Sequence, residues 1–174
     1  VTESLPWHVR DITGLKPHIY HLIDLASACK SIVEIGVYTG ASTRALLTGL
    51  PADGKMFSVD KNNHQVDDEV RNDPRWAFLL ADSVAPATMS QYPIHPDLMF
   101  IDSGHTYELT WRELVLAGCL GAKRIALHDY LFPLSEDPYC EVKRATDEFL
   151  TLGLYEWQEL YDSHWGLAVL RRKE

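Results

Sequence analysis

Two groups of ionisable side chains stand at the ends of apolar runs. Asp97-Leu-Met-Phe-Ile-Asp102 is followed by Ser103-Gly104-His105 and then Tyr107-Glu108, and Arg124-Ile-Ala-Leu-His128 is followed by Asp129-Tyr130. Carboxylates are hard oxygen ligands that suit a cation such as Mg²⁺. A histidine titrates near neutral pH and can take a proton from a reacting hydroxyl. Each residue also has a plainer reading. Asp102 could cap a helix beginning near Thr106, His105 could make a structural hydrogen bond, and Asp129-Tyr130 could open a loop. Side chains alternate along a strand, so His128 is expected on the opposite side from Asp129, as a supporting residue or a core histidine.

A third group is built on glycine. Ser31-Ile-Val-Glu34-Ile-Gly36-Val-Tyr-Thr-Gly40-Ala-Ser42 passes from an apolar run through a glycine turn into a helix-like stretch. Such a strand, turn and helix N-terminus let a ligand lie against bare backbone, with N–H groups aimed at it. The spacing is Glu-x-Gly-x-x-x-Gly, not the Gly-x-Gly-x-x-Gly of dinucleotide-binding enzymes.

These groups need a scaffold, and the rest of the chain supplies one. Strand-like runs fall at 31–36, 55–60, 76–81, 97–102 and 124–128. Helix-like stretches at 16–30, 41–50, 63–71, 85–91, 107–120 and 141–152 separate or flank them. Alternation of this kind predicts right-handed crossovers and a parallel sheet covered on both faces. Runs at 155–162 and 166–172 have no room for a helix between them and read as an antiparallel hairpin. Asp60, at the end of the second run, stands where an acid can accept hydrogen bonds from ribose hydroxyls. Asp82 and Ser83 end the third run, where their plainer role is a helix cap.

The Glu34–Gly40 turn resembles the first motif of class I S-adenosylmethionine-dependent methyltransferases, and five β/α units closed by a hairpin resemble that fold over nearly the whole chain. The implied architecture is a Rossmann-like α/β domain over 1–174, with a mostly parallel seven-stranded sheet, helices on both faces and a C-terminal antiparallel hairpin. The resemblance implies cofactor contacts from Glu34, Gly36, Gly40, Ser42, Asp60, Asp82 and Ser83. Asp102-Ser-Gly-His105-Thr-Tyr107 and His128-Asp129-Tyr130 resemble signatures of a branch of small O-methyltransferases that includes macrolide-sugar and catechol-type enzymes. In that branch carboxylates from these strand ends hold a divalent cation, usually Mg²⁺, which assigns Asp102 and Asp129 to metal and Asp102 and His105 to catalysis. Two departures are visible: Ser103-Gly104 stands where the branch often has Gly-Asp, and Tyr130 where catechol-type enzymes carry an Asn ligand. Two carboxylates make a weak site unless Glu108 or a substrate oxygen helps.

The implied reaction is methyl transfer to a hydroxyl of a small molecule (a sugar, a polyketide glycoside or a phenol). Three alternatives remain at this stage: a metal-independent transferase, an NAD(P)-dependent oxidoreductase and a non-catalytic S-adenosylmethionine-binding module. A formal charge of −9 disfavours a nucleic-acid partner. No apolar run approaches a membrane span, and no signal-peptide pattern is seen. Cys29, Cys119 and Cys140 are odd in number and widely spaced, which suits a reducing compartment and a cytoplasmic location. Leu5-Pro6-Trp7 reads as an arm docking over the site or across a homodimer. His64 with Asp67-Asp68-Glu69 reads as a solvated helix face. The Leu131–Pro138 connection, with two prolines and two acids, reads as a wall of the substrate pocket or a surface loop.

Overall fold

A computed structural model describes residues 15–63 and 66–174 of the chain. The proposed arm at Leu5-Pro6-Trp7 and His64 lie outside the described residues. Seven strands run in chain order as β1 (Ser31–Ile35), β2 (Lys55–Asp60), β3 (Trp76–Leu80), β4 (Leu98–Ile101), β5 (Arg124–His128), β6 (Tyr155–Tyr161) and β7 (Leu167–Arg172). The helices are α1 (Ile19–Ser27), α2 (Ala41–Gly49), α3 (Asp68–Arg71), α4 (Pro86–Met89), α5 (Tyr107–Leu120) and α6 (Val142–Leu150).

The strands form one sheet in the order β3-β2-β1-β4-β5-β7-β6, parallel from β3 to β5, with β7 and β6 antiparallel. This is the predicted mostly parallel seven-stranded α/β sheet with a C-terminal antiparallel hairpin. The central strands are covered on both faces, which is why they are nearly continuous apolar runs. Their side chains divide by the two-residue period of a strand. Ile32, Leu98, Phe100 and Ala126 face α1 and α2, whereas Val33, Ile35, Met99, Ile101, Ile125 and Leu127 face α5 and α6. The edge strand β6 carries a bulge between Trp157 and Glu159, an irregularity that discourages pairing with another chain.

Most helices are shorter than their sequence stretches, and in two the cause is visible. The 16–30 stretch begins with a 3-10 turn, Lys16–His18, carrying Pro17 near its start, and α1 ends at Ser27. Among the described residues of the 63–71 stretch only α3 is helical, because Asp67 takes the extended N-cap conformation. Asp67 and Glu69 are not merely solvated there. Both pair with Arg44 of α2, at 2.8 and 3.1 Å.

Candidate functional site

A cavity of roughly 560 Å³ lies along the carboxyl ends of the parallel strands, where strand order reverses beside β1. Gly36, Ser42, Asp60, Asp82, Ser83, Asp102, His105 and Asp129 all line it. Glu34 and Gly40, expected among the cofactor contacts, are not part of that lining.

Glu34 sits behind the wall. It is fully buried on β1 and accepts hydrogen bonds from Ser42 Oγ (2.7 Å), Thr43 Oγ1 (2.8 Å) and Ser58 Oγ (2.7 Å). Its carboxyl therefore ties the first turn of α2 to β1 and β2. Gly36 has φ +92, and a Cβ there would overlap the carbonyl oxygen of Asp102. The bare backbone at this turn admits the end of β4, not only a ligand. Gly40 takes φ +81 as the N-cap of α2, where a Cβ would press on Val66. Two N–H groups of the turn are likewise aimed inward: those of Val37 and Tyr38 donate to Asp60 Oδ2 at 2.9 and 3.2 Å. The N–H of Asn62 donates to Asp60 Oδ1 at 2.8 Å. Asp82 Oδ1 accepts from the Val84 N–H at 3.0 Å, and Ser83 Oγ donates to Glu113 Oε1 at 2.7 Å. Ser103 Oγ donates to the other Glu113 oxygen at 2.7 Å.

At the far end of the cavity the two acid-bearing strand ends meet. His105 Nε2 lies 3.5 Å from Asp102 Oδ1 and 3.2 Å from Asp129 Oδ2. His128 Nδ1 lies 3.4 Å from Asp102 Oδ1 and 3.0 Å from Asp129 Oδ1. The alternation expected for His128 and Asp129 fails. The pleat of β5 ends at His128, and Asp129 turns to φ +60, the left-handed region, so both side chains reach the same point. Asp102 does not cap α5, whose N-cap is Thr106. The approaches are short but lack hydrogen-bond geometry: His105 Nε2 and Asp129 Oδ1 are buried with no hydrogen-bond partner among the described residues. Buried polar atoms left unpaired are costly, so the cluster suits an additional charged group. Asp102, His128 and Asp129 each offer a ligand atom, all within 4.8 Å of one another. The oxygen and nitrogen donors thus fit a divalent cation. Glu108 is exposed and off the cavity wall.

Residues 33–124 match the model of a family described as "Methyltransferase domain". The chain belongs to this methyltransferase family. It is also 34% identical to caffeoyl-CoA O-methyltransferase 1 of Arabidopsis thaliana over 62 residues, 36% of this chain and 24% of that protein. The chain thus matches about a quarter of the length of this curated relative. Two solved structures share the fold. An O-methyltransferase of Bacillus cereus in complex with S-adenosylhomocysteine superposes with a TM-score of 0.65 at 17% identity, covering 97% of this chain and 84% of that one. The O-methyltransferase TomG of Streptomyces achromogenes, in complex with S-adenosylmethionine and involved in tomaymycin synthesis, gives 0.66 at 16%, covering 98% and 84%.

In this methyltransferase-family chain the electrostatics divide the cavity in two. Where the two acid-bearing strand ends meet, burial works against a charged His128, but the Asp102 and Asp129 carboxylates outweigh it and raise its pKa to about 10. Burial likewise opposes charge on Asp102, yet His128 and His105 hold it well below the usual carboxylate range. His105 is raised too: burial lowers it, and the carboxylates of Asp102 and Asp129 more than compensate. Around the glycine turn the effect is reversed. Burial raises Glu34 to about 7 despite its three hydroxyl donors, and burial raises Glu113 to about 7 as well.

Glu113 and Trp165 line the cavity without having been assigned a role there from the sequence, and His128, expected as a supporting residue or a core histidine, lines it too. Glu113 left a signal: it follows Thr110 and precedes Leu114 and Ala117 on the buried stripe of α5, where an acid is out of place. Trp165, in the β6–β7 turn, left none.

Glu34 has a consequence for stability. Its folded pKa lies above its unfolded value of about 4.3, so the folded state binds the extra proton. That contribution is full below about pH 4.3 and is lost as pH rises through about 7, for a total of about 4 kcal/mol. Glu34→Gln is expected to flatten this slope and to melt higher than wild type at pH 8. Thermal unfolding at pH 5 and pH 8 checks it; an undiminished slope would place the ionisation elsewhere.

Proposed function

We propose that the chain transfers the methyl group of S-adenosylmethionine to a hydroxyl of a small molecule, assisted by a divalent cation. The observation that carries this reading is one cavity joining the glycine turn and Asp60 to Asp102, His105 and Asp129. Relatives described as O-methyltransferases, and fold neighbours holding S-adenosylmethionine or its demethylated product, support it. Asp60, held side-on by the turn, accepts the ribose hydroxyls, and Asp82 with Ser83 faces the base. Asp102 and Asp129 would hold the cation, which when bound would lower the pKa of an acceptor hydroxyl and fix its direction. His105, part-exposed on the cavity wall, takes the hydroxyl proton. The acceptor is a sugar, a polyketide glycoside or a phenol, lying between Leu15 and Trp165.

A second cavity, about 630 Å³, adjoins the first at Asp129 and is walled by Phe132 and Leu134. The 131–138 connection so extends the acceptor side. Free Cys29, Cys119 and Cys140 fit a cytoplasmic setting, and no helix among the described residues is long and apolar enough to cross a membrane.

The test is calorimetric titration with S-adenosylmethionine, followed by detection of S-adenosylhomocysteine over a panel of hydroxylated acceptors, with Mg²⁺ and with chelator. Absence of cofactor binding would overturn the reading; turnover indifferent to chelator would remove only the cation. Asp60→Ala is expected to weaken S-adenosylmethionine binding about 10–100-fold, the value of one or two hydrogen bonds to a charged group. An unchanged dissociation constant would displace Asp60 from the ribose.

A further inference from the structure

The identity of the cation follows from which atoms surround it, and here one of them is nitrogen. We infer that His128 is itself a ligand, through Nδ1, so that Asp102, Asp129 and His128 form a two-carboxylate, one-imidazole site selecting a first-row transition-metal dication such as Mn²⁺ over Mg²⁺. The inference rests on the cation reading above and deepens it.

Position is the first argument. His128 Nδ1 faces the same space as Asp102 Oδ1 and Asp129 Oδ1, at 3.4 and 3.0 Å. Ligands about 2.1 Å from one cation stand about 3–4 Å apart, so donors all within 4.8 Å of each other need only a small inward adjustment. Rigidity is the second. His128 is 5% exposed at the last position of β5, and its ring meets His18 edge-on, with centroids 5.6 Å apart and planes at 75°. Burial and this contact restrict the ring at the site it already faces. The third is an independent sign of a missing partner. Asp129, 4% exposed, points Oδ1 into the cluster without a hydrogen bond and holds a left-handed backbone to do so.

Among the described residues, no neighbouring side chain completes an all-oxygen set. Tyr130, the residue after Asp129, turns its hydroxyl away to donate to Asp147 at 2.7 Å, and Glu108 is exposed off the wall. Mg²⁺ demands oxygen donors and keeps its waters, whereas first-row transition dications accept imidazole, and Mn²⁺, the weakest binder among them, is the stringent and paramagnetic probe of that preference. His128 occupies the place where a third oxygen would have favoured Mg²⁺.

The experiment loads chelator-stripped protein with Mn²⁺ or Mg²⁺ and reads binding by calorimetry and ligation by pulsed electron paramagnetic resonance. Mn²⁺ is expected to bind on the order of 100-fold more tightly than Mg²⁺. Mn²⁺-loaded wild type is expected to show nitrogen hyperfine coupling that His128→Asn removes and His105→Asn retains. His128→Glu, which makes the set all oxygen, is expected to narrow the Mn²⁺ preference about tenfold or more. Wild-type spectra need no variant, so a misfolded mutant does not spare the inference. Bound Mn²⁺ without nitrogen coupling, or coupling lost only in His105→Asn, would overturn the role of His128 and leave cation assistance standing. No Mn²⁺ binding would overturn both, while intact S-adenosylmethionine binding would still leave the methyl donor in place.

Discussion

Asp129→Asn is expected to lower kcat by about 100-fold or more while leaving the dissociation constant for S-adenosylmethionine within about twofold, a split that follows from where catalytic charge is held. Asp129 lies at the proposed acceptor end of the cavity, beside Asp102, His105 and His128. The turn and Asp60, proposed to face the cofactor, are built from β1 and β2 and do not use it. Asn is the informative substitution because, like Asp, it tolerates the left-handed conformation that residue 129 adopts at φ +60. An Ala there would confound loss of charge with backbone strain. Initial rates and calorimetry on the same preparation decide it. Equal loss of turnover and cofactor affinity would mean that Asp129 serves the cofactor end.

Gly36→Ala is expected to cost about 3–5 kcal/mol of stability, enough to leave little folded protein at physiological temperature. Two effects add. The residue sits at φ +92, which an L side chain adopts only with strain, and its Cβ would overlap the Asp102 carbonyl. The obstacle is backbone, not a side chain that could move aside, so β1 and β4 would have to part where the two halves of the cavity join. Gly153 supplies the control. It has φ +75 but nothing within 4 Å of a built Cβ, so Gly153→Ala should cost only the conformational share, about 1–2 kcal/mol. Urea unfolding of the pair separates the terms. Equal losses would show that the approach of β4 is not what requires glycine at position 36.

Much of the scaffold was legible in the chain. β2, β5 and α5 begin and end where the apolar pattern changes, and the hairpin was visible because too few residues separate its strands. The third helix was misread in extent. Its expected stretch begins at Asn63, and Asn and Asp bond their own backbone in preference to a helix, so only 68–71 is helical. Glu34 was legible as an important acid but not as a buried strut. Its partners Ser42, Thr43 and Ser58 come from two other elements, and no local pattern announces that three hydroxyls will converge on one carboxyl.

The sequence by itself determined the order of elements, the sheet they form and the kinds of side chain standing at the strand ends. Those properties are local, set by periodicity and turn chemistry within a few residues. Only the tertiary structure decided which of those side chains meet. The alternation rule sends His128 and Asp129 to opposite faces, and one left-handed residue cancels it. Parallel pairing of β4 with β5 then brings Asp102 to the same point. A single backbone dihedral cannot be read from residue types, because its strain persists only where contacts from distant parts of the chain hold it.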